Sequence, residues 1–203
     1  MADYFALLSE PRRPWLDADA LKLKFLALSA TAHPDKVHAA STGDKAAAAR
    51  AFAELNAAYN CLAEPKSRLL HLLELESGAR PPDVQEIPPA LADLFADVAT
   101  VCRATDGFLA AKAKAKVTSP LVRVQWFEQA QDWVGKLNAL QQKLNGLHAQ
   151  LMDRLKTLDD AWSAHSDRRK EILPKIEELY RLFAYFNRWN RQIQERVAQL
   201  YEG

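Results

Sequence analysis

Strand-forming residues are scarce in this chain. Four Ile, nine Val and six Thr stand against 35 Ala and 29 Leu in 203 residues. Ala and Leu are the strongest helix formers, whereas β-branched residues favour strands. The composition therefore predicts an all-α protein and excludes sheet-based nucleotide folds and barrels. Cysteine is equally sparse: Cys61 and Cys102 stand alone, with no CxxC spacing. That excludes a zinc ribbon, a cluster-ligating run and a disulfide scaffold, and fits a reducing compartment. Net charge is nearly absent at +1, so no global field recruits nucleic acid or an acidic membrane. No run of 18 apolar residues occurs, which excludes a spanning segment of the usual kind. The opening MADYFALLSEPRR carries an acid at once and reads as neither signal nor transit peptide. A cytoplasmic protein is expected.

Catalytic signatures are missing too. There is no nucleophile elbow, phosphate loop or zinc-protease motif. His38, His71, His148 and His165 show no ligand spacing. The expectation is a non-enzyme without cofactor or metal.

Proline divides what is present. Because it lacks an N–H and clashes with the preceding turn, helices begin or end near it. Asp3–Ser9 reads as a first short helix, and Pro11 and Pro14 as an extended connection. Asp17 suits the N-cap of a helix reaching about Ala32, with Leu21, Phe25 and Leu28 on one face. Pro34 stops that helix. Asp44 can cap the next, whose apolar positions are Phe52, Leu55, Tyr59 and Leu62. Pro65 suits the first turn of a fourth helix bearing Leu69, Leu72 and Leu73. Gly78 and the stretch ARPPDVQEIPP then read as a linker.

The second half predicts an antiparallel three-helix bundle with a long hairpin. One helix runs from Pro89 to about Lys116. The next runs from Pro120 to about Trp162, with a stripe through Leu137, Leu140, Leu144, Leu147, Leu151, Leu155 and Leu158. The last carries Ile176, Leu179, Phe183, Phe186, Ile193, Val197 and Leu200. Arg168-Arg169-Lys170 is expected in the turn before it. The division is therefore 1–78, a linker over 79–88, and a bundle over 89–203.

Between the second and third helices lies His33-Pro34-Asp35-Lys36. Pro34 fixes φ, so flanking side chains project from a stiff corner. Asp35 offers a carboxylate to a partner's arginine, Lys36 adds positive charge, and His33 can donate or accept. On residue chemistry alone an Asp-containing turn without a partner is the favoured reading. Its setting, with Phe52-Ala53-Glu54-Leu55-Asn56-Ala57-Ala58-Tyr59 downstream followed by Leu62, Pro65 and Arg68, resembles the J-domain of DnaJ-type co-chaperones. DYFALL, LDADALKLKF, NAAYNCL and PKSRLLHLLELESG narrow the likeness to HscB, the J-protein family of iron–sulfur cluster biogenesis. It covers residues 3–78 closely and 89–203 mainly in architecture.

The resemblance implies a J-domain over 1–78 that stimulates a DnaK/HscA-type ATPase through His33, Pro34, Asp35 and Lys36, with Lys22 and Lys24 contributing. It implies a client-binding bundle that takes an IscU-type iron–sulfur scaffold on Leu91, Leu94, Phe95 and Val98, flanked by Asp93 and Asp97. Core packing of those four apolar residues is the alternative. One departure from the family pattern is clear. Only Lys22 and Lys24 are basic in the second helix, and residues 1–76 hold nine Lys plus Arg against ten Asp plus Glu. Steering by charge is therefore expected to be weak. A J-like interaction or scaffold protein without ATPase stimulation, and a co-chaperone with an unrelated client, remain open alternatives.

Overall fold

The computed structural model describes residues 2–32, 42–82, 87–115, 119–164 and 166–202, apart from the side chains of Thr42, Ser166 and Glu202. Among the described residues seven α-helices carry the fold: α1 Tyr4–Leu7, α2 Ala18–Ala32, α3 Thr42–Ala63, α4 Pro65–Ser77, α5 Ala92–Lys114, α6 Pro120–Ala164 and α7 Arg169–Glu202. Short 3-10 turns, Pro89–Leu91 and Ser166–Arg168, precede α5 and α7. The all-α expectation holds, with no strand among the described residues.

Local chemistry explains most of the boundaries. Asp3 caps α1 by accepting from the amides of Phe5 and Ala6. Asp17 caps α2 by accepting from the Ala20 amide at 2.8 Å. Glu64 caps α4, whose first residue is Pro65, and Gly78 closes it with φ 73°. A residue with a Cβ is disfavoured there, so glycine is the natural stop. Two starts differ from expectation. α3 begins at Thr42, which leaves Asp44 in its first turn, where its charge complements the dipole. α7 begins at Arg169 and takes Pro174 inside it. Only Arg168 of the expected basic turn therefore lies outside regular helix.

Two compact units result: residues 1–82 with 153–181, and residues 83–152 with 182–203. The sequence pattern placed 153–181 with the bundle. In the fold they group with the N-terminal helices. In the first unit, Phe5, Leu8, Leu21, Leu62, Leu69 and Leu72 are buried together with Leu155, Trp162, Ile176 and Leu179. Arg13 and the amide of Trp15 both donate to the buried carboxylate of Asp159, the latter at 3.1 Å. The Trp162 indole N–H donates to the Arg12 carbonyl at 2.9 Å. In the second unit α5, α6 and α7 form a three-helix bundle around Val98, Val134, Leu137, Leu144, Phe183 and Ile193. Gln141 joins Asn190 and Gln194 across α6 and α7 by hydrogen bonds of 2.8 Å each. Arg196 donates to Asp106 at 2.7 Å and ties α7 to α5.

His71 sits buried in α4. Its Nε2 accepts from the Tyr4 amide at 3.1 Å, and its ring stacks on Tyr4 at 4.6 Å. Burial holds its pKa below the usual histidine value, against the pull of Asp3 and Glu74. The unfolded chain therefore takes up a proton first as pH falls below about 6.5. Stability attributable to His71 should be intact above that pH and decline below it, until the folded imidazole itself protonates. Urea midpoints at pH 7.5 and 5.5 should drop more for the parent than for His71→Gln, whose amide oxygen can still accept from Tyr4. An equal drop would show that other groups set the acid sensitivity.

Candidate functional site

Helices α2 and α3 pack as a hairpin. Phe25 and Tyr59 stack across it with centroids 4.3 Å apart, and Leu21 is the anchor of α2 at 1% exposure. The described part of α2 ends at Ala32, and α3 resumes at Thr42. His33, Pro34, Asp35 and Lys36 fall in the connection and lie outside the described residues, as does His38. What can be built is the helical face that leads to them.

That face is short of available positive charge. Lys24 donates to the Ser9 carbonyl at 2.9 Å and pairs with Glu10 at 2.7 Å. It therefore serves the packing of the 9–10 turn against α2. Lys22 is exposed and makes no ion pair among the described residues. The two lysines that the sequence put forward together thus have different surroundings. Beside Lys22 stand two residues that the sequence reading passed over: Leu23 at 69% and Leu26 at 50% exposure. Both lie off the Leu21/Phe25/Leu28 stripe, which was the available signal for an outward-facing apolar pair. With Ala27 and Ala30 also exposed, the accessible side of α2 is largely apolar.

Arginines that the sequence could not place are structural. Arg12 donates to Asp3 Oδ2 at 2.7 Å and reaches Glu76 at 3.5 Å. Burial tends to raise the Asp3 carboxyl, but Arg12 and the two capped amides outweigh it and hold its pKa below the usual range. Arg13 is committed to Asp159. Neither is available to stand in for the missing basic face.

The expected client residues do not share one accessible surface. Leu91 and Val98 are buried in the second unit, Leu94 is half-buried, and Phe95 alone is exposed. Leu91 and Val98, seven residues apart, share the face that packs inside the bundle, so the core-packing alternative describes them, and Phe95 lies at the edge of that face. Phe95 lies beside Trp189 at 6.4 Å, and Trp189 beside Tyr185 at 5.6 Å. Asp93 is exposed, and Asp97 pairs with Lys143 at 2.6 Å. Lys112 and Lys114 occupy the last turn of α5, where cations complement the dipole. Lys116 and His165 lie outside the described residues.

Neither cysteine is poised as a nucleophile. Burial pushes the Cys61 thiol up to about 11, and Cys102 is raised for the same reason. Among the described residues no group of three or more His, Cys, Asp or Glu could hold a metal ion. No described helix is long and apolar enough to cross a membrane.

No family model matches the chain. Solved structures do. The chaperone HscB from Vibrio cholerae superposes with a TM-score of 0.62 over 98% of this chain and 99% of its own, at 20% identity. The human co-chaperone protein HscB gives 0.63 over 96% of this chain and 81% of its own, at 18% identity. The likeness that the sequence carried mainly over 3–78 therefore extends in fold to nearly the whole chain, the bundle included.

Proposed function

We propose that this chain is a J-type co-chaperone of the HscB kind. Its His33-Pro34-Asp35 connection would activate a DnaK/HscA-type chaperone ATPase, and its second unit would present a client, an IscU-type iron–sulfur scaffold. One observation carries the reading: the tripeptide falls between the two packed helices α2 and α3 in a chain with HscB architecture along nearly its full length. On this reading the hydrolytic chemistry belongs to the partner chaperone. This chain would supply the carboxylate of Asp35, the imidazole of His33 and the ammonium of Lys36, and a surface for the cargo.

Steady-state ATP hydrolysis by a DnaK-type chaperone tests the proposal. The chain should stimulate it several-fold, and His33→Gln and Asp35→Asn should each abolish the stimulation. Negligible stimulation by parent and variants alike would sink the reading. Retention of an IscU-type scaffold by the full-length chain tests the client separately, since loss of that arm alone points to a different cargo.

The apolar face of α2 favours a second reading, a J-like interaction protein that stimulates no ATPase. Within the co-chaperone reading, that face makes a distinct prediction. Exposed charges are largely screened beyond a Debye length, whereas apolar contact is not. Raising salt from about 50 to about 200 mM should therefore change stimulation by no more than about twofold. A tenfold loss over that range would show that charge outside the described residues drives the encounter.

A further inference from the structure

Four of the seven large apolar residues that stand exposed among the described residues gather at one end of the second unit: Leu121, Val124, Phe127 and Tyr201, at 52–69% exposure. The first three recur every third residue along the first turns of α6. Phe127 lies three and seven residues before the buried Ala130 and Val134, and so carries the bundle-facing side of α6 to its exposed end. Phe127 and Tyr201 also line an open cleft of about 450 Å³, together with Trp126, Leu200, Lys112 and Arg123. Contiguous apolar surface of this kind on a folded chain marks an interaction site.

The cleft has a sign. Its lining contains two cations and no carboxylate, and neither Lys112 nor Arg123 forms an ion pair among the described residues. Asp106, about two helical turns before Lys112 on α5, is already paired with Arg196. We infer that this end of the bundle is a docking site for an acidic amphipathic segment of a partner protein. Apolar side chains of that segment would enter the cleft between Trp126, Phe127 and Tyr201, while its carboxylates meet Lys112 and Arg123. Charge complementarity selects this occupant over a second copy of the chain. A two-fold contact would set Lys112 and Arg123 against themselves. The concavity selects it over a lipid surface. A cleft this size, near the lower end of ligand-site volumes of roughly 300–1,000 Å³, takes one or two protruding side chains, whereas membrane docking uses a raised face.

The site shares no residue with Phe95, Trp189 or the α2 face, and it does not depend on the co-chaperone reading. Its test uses the full-length chain and a labelled fifteen-residue helical peptide with Leu and Phe at i, i+3, i+4 and i+7 and Glu between them, followed by anisotropy and by Trp emission. Three controls accompany it: the same peptide with Lys for Glu, vesicles of phosphatidylserine and phosphatidylcholine, and sedimentation of the chain alone. The acidic peptide should bind in the micromolar range. Arg123→Glu and Phe127→Ser should each weaken it at least about tenfold while leaving the thermal melt in place, because both side chains are exposed. The lysine peptide should not bind. No binding of the acidic peptide up to about 1 mM, equal binding of both peptides, or unchanged affinity in both variants would overturn the proposal. So would vesicle binding, or self-association, that the variants abolish while peptide binding is unaffected.

Discussion

Trp162→Ala should destabilise the first unit by about 3–5 kcal/mol, among the largest single losses available in this chain. Trp162 is fully buried, its indole N–H satisfies the Arg12 carbonyl, and the Arg169 guanidinium lies 4.8 Å over its ring. Truncation removes the largest side chain that is fully buried among the described residues, opens a cavity, and leaves a carbonyl of the 11–17 connection without its donor. Denaturant unfolding followed by circular dichroism reads the loss. Trp162→Phe separates the components: it refills most of the volume and cannot donate, so it should lose only about 1–2 kcal/mol. If the alanine variant lost less than about 1 kcal/mol, the indole would be packed far more loosely than its burial indicates. Because the chain has two units, the loss should appear in one phase of the transition if they unfold separately.

The same residue marks the limit of what the sequence discloses. Helix boundaries were legible because their causes are local. Asp3, Asp17, Pro65 and Gly78 act on amides and carbonyls within a few residues, and each stands where the fold uses it. The partner of a buried stripe was not legible. Leucines recur from Leu137 to Leu158 without interruption, so nothing in the spacing says that residues before 153 group with one unit and residues after it with another. Nor does any local signal link Arg13 to Asp159, which lies 146 residues away. The candidate site divides in the same manner. The tripeptide at 33–35 is a sequence pattern and needs no tertiary information to be seen. The client face over 91–98 was an inference from helical spacing, which groups the four residues but does not say whether their face turns to a partner or, as for Leu91 and Val98, to the core. Leu23 and Leu26 could have been read as outward-facing from their offset to Leu21, Phe25 and Leu28. The apolar character of α2 was thus partly on view beside its lack of basic residues.

Arg68→Ala is expected to cost about 3–4 kcal/mol and Arg68→Met about 2 kcal/mol, from two opposed effects. Arg68 is 3% exposed. Burial pulls its pKa down to about 10, against the fields of Glu64 and Asp159, so it stays charged at neutral pH and its desolvation weighs against the folded state. A hydrophobic replacement relieves that cost. The two carbonyls it serves then decide the outcome. Arg68 Nε donates to the Pro14 carbonyl at 2.8 Å, and Nη1 donates to the Leu62 carbonyl. Leu62 lies in the last turn of α3, where carbonyls have no partner within the helix, and the Pro14 carbonyl belongs to the irregular connection before α2. Either, left buried without a donor, costs on the order of 1–3 kcal/mol, more than the desolvation relief returns for one partly compensated charge. Met retains the apolar stem and isolates this polar loss. Ala adds the cavity, which accounts for the larger figure. Both variants should retain helical circular dichroism at 20 °C and shift the urea midpoint in the order parent, Met, Ala. A methionine variant as stable as the parent would mean that water reaches both carbonyls, and that Arg68 is held by its packed stem and not by its donors.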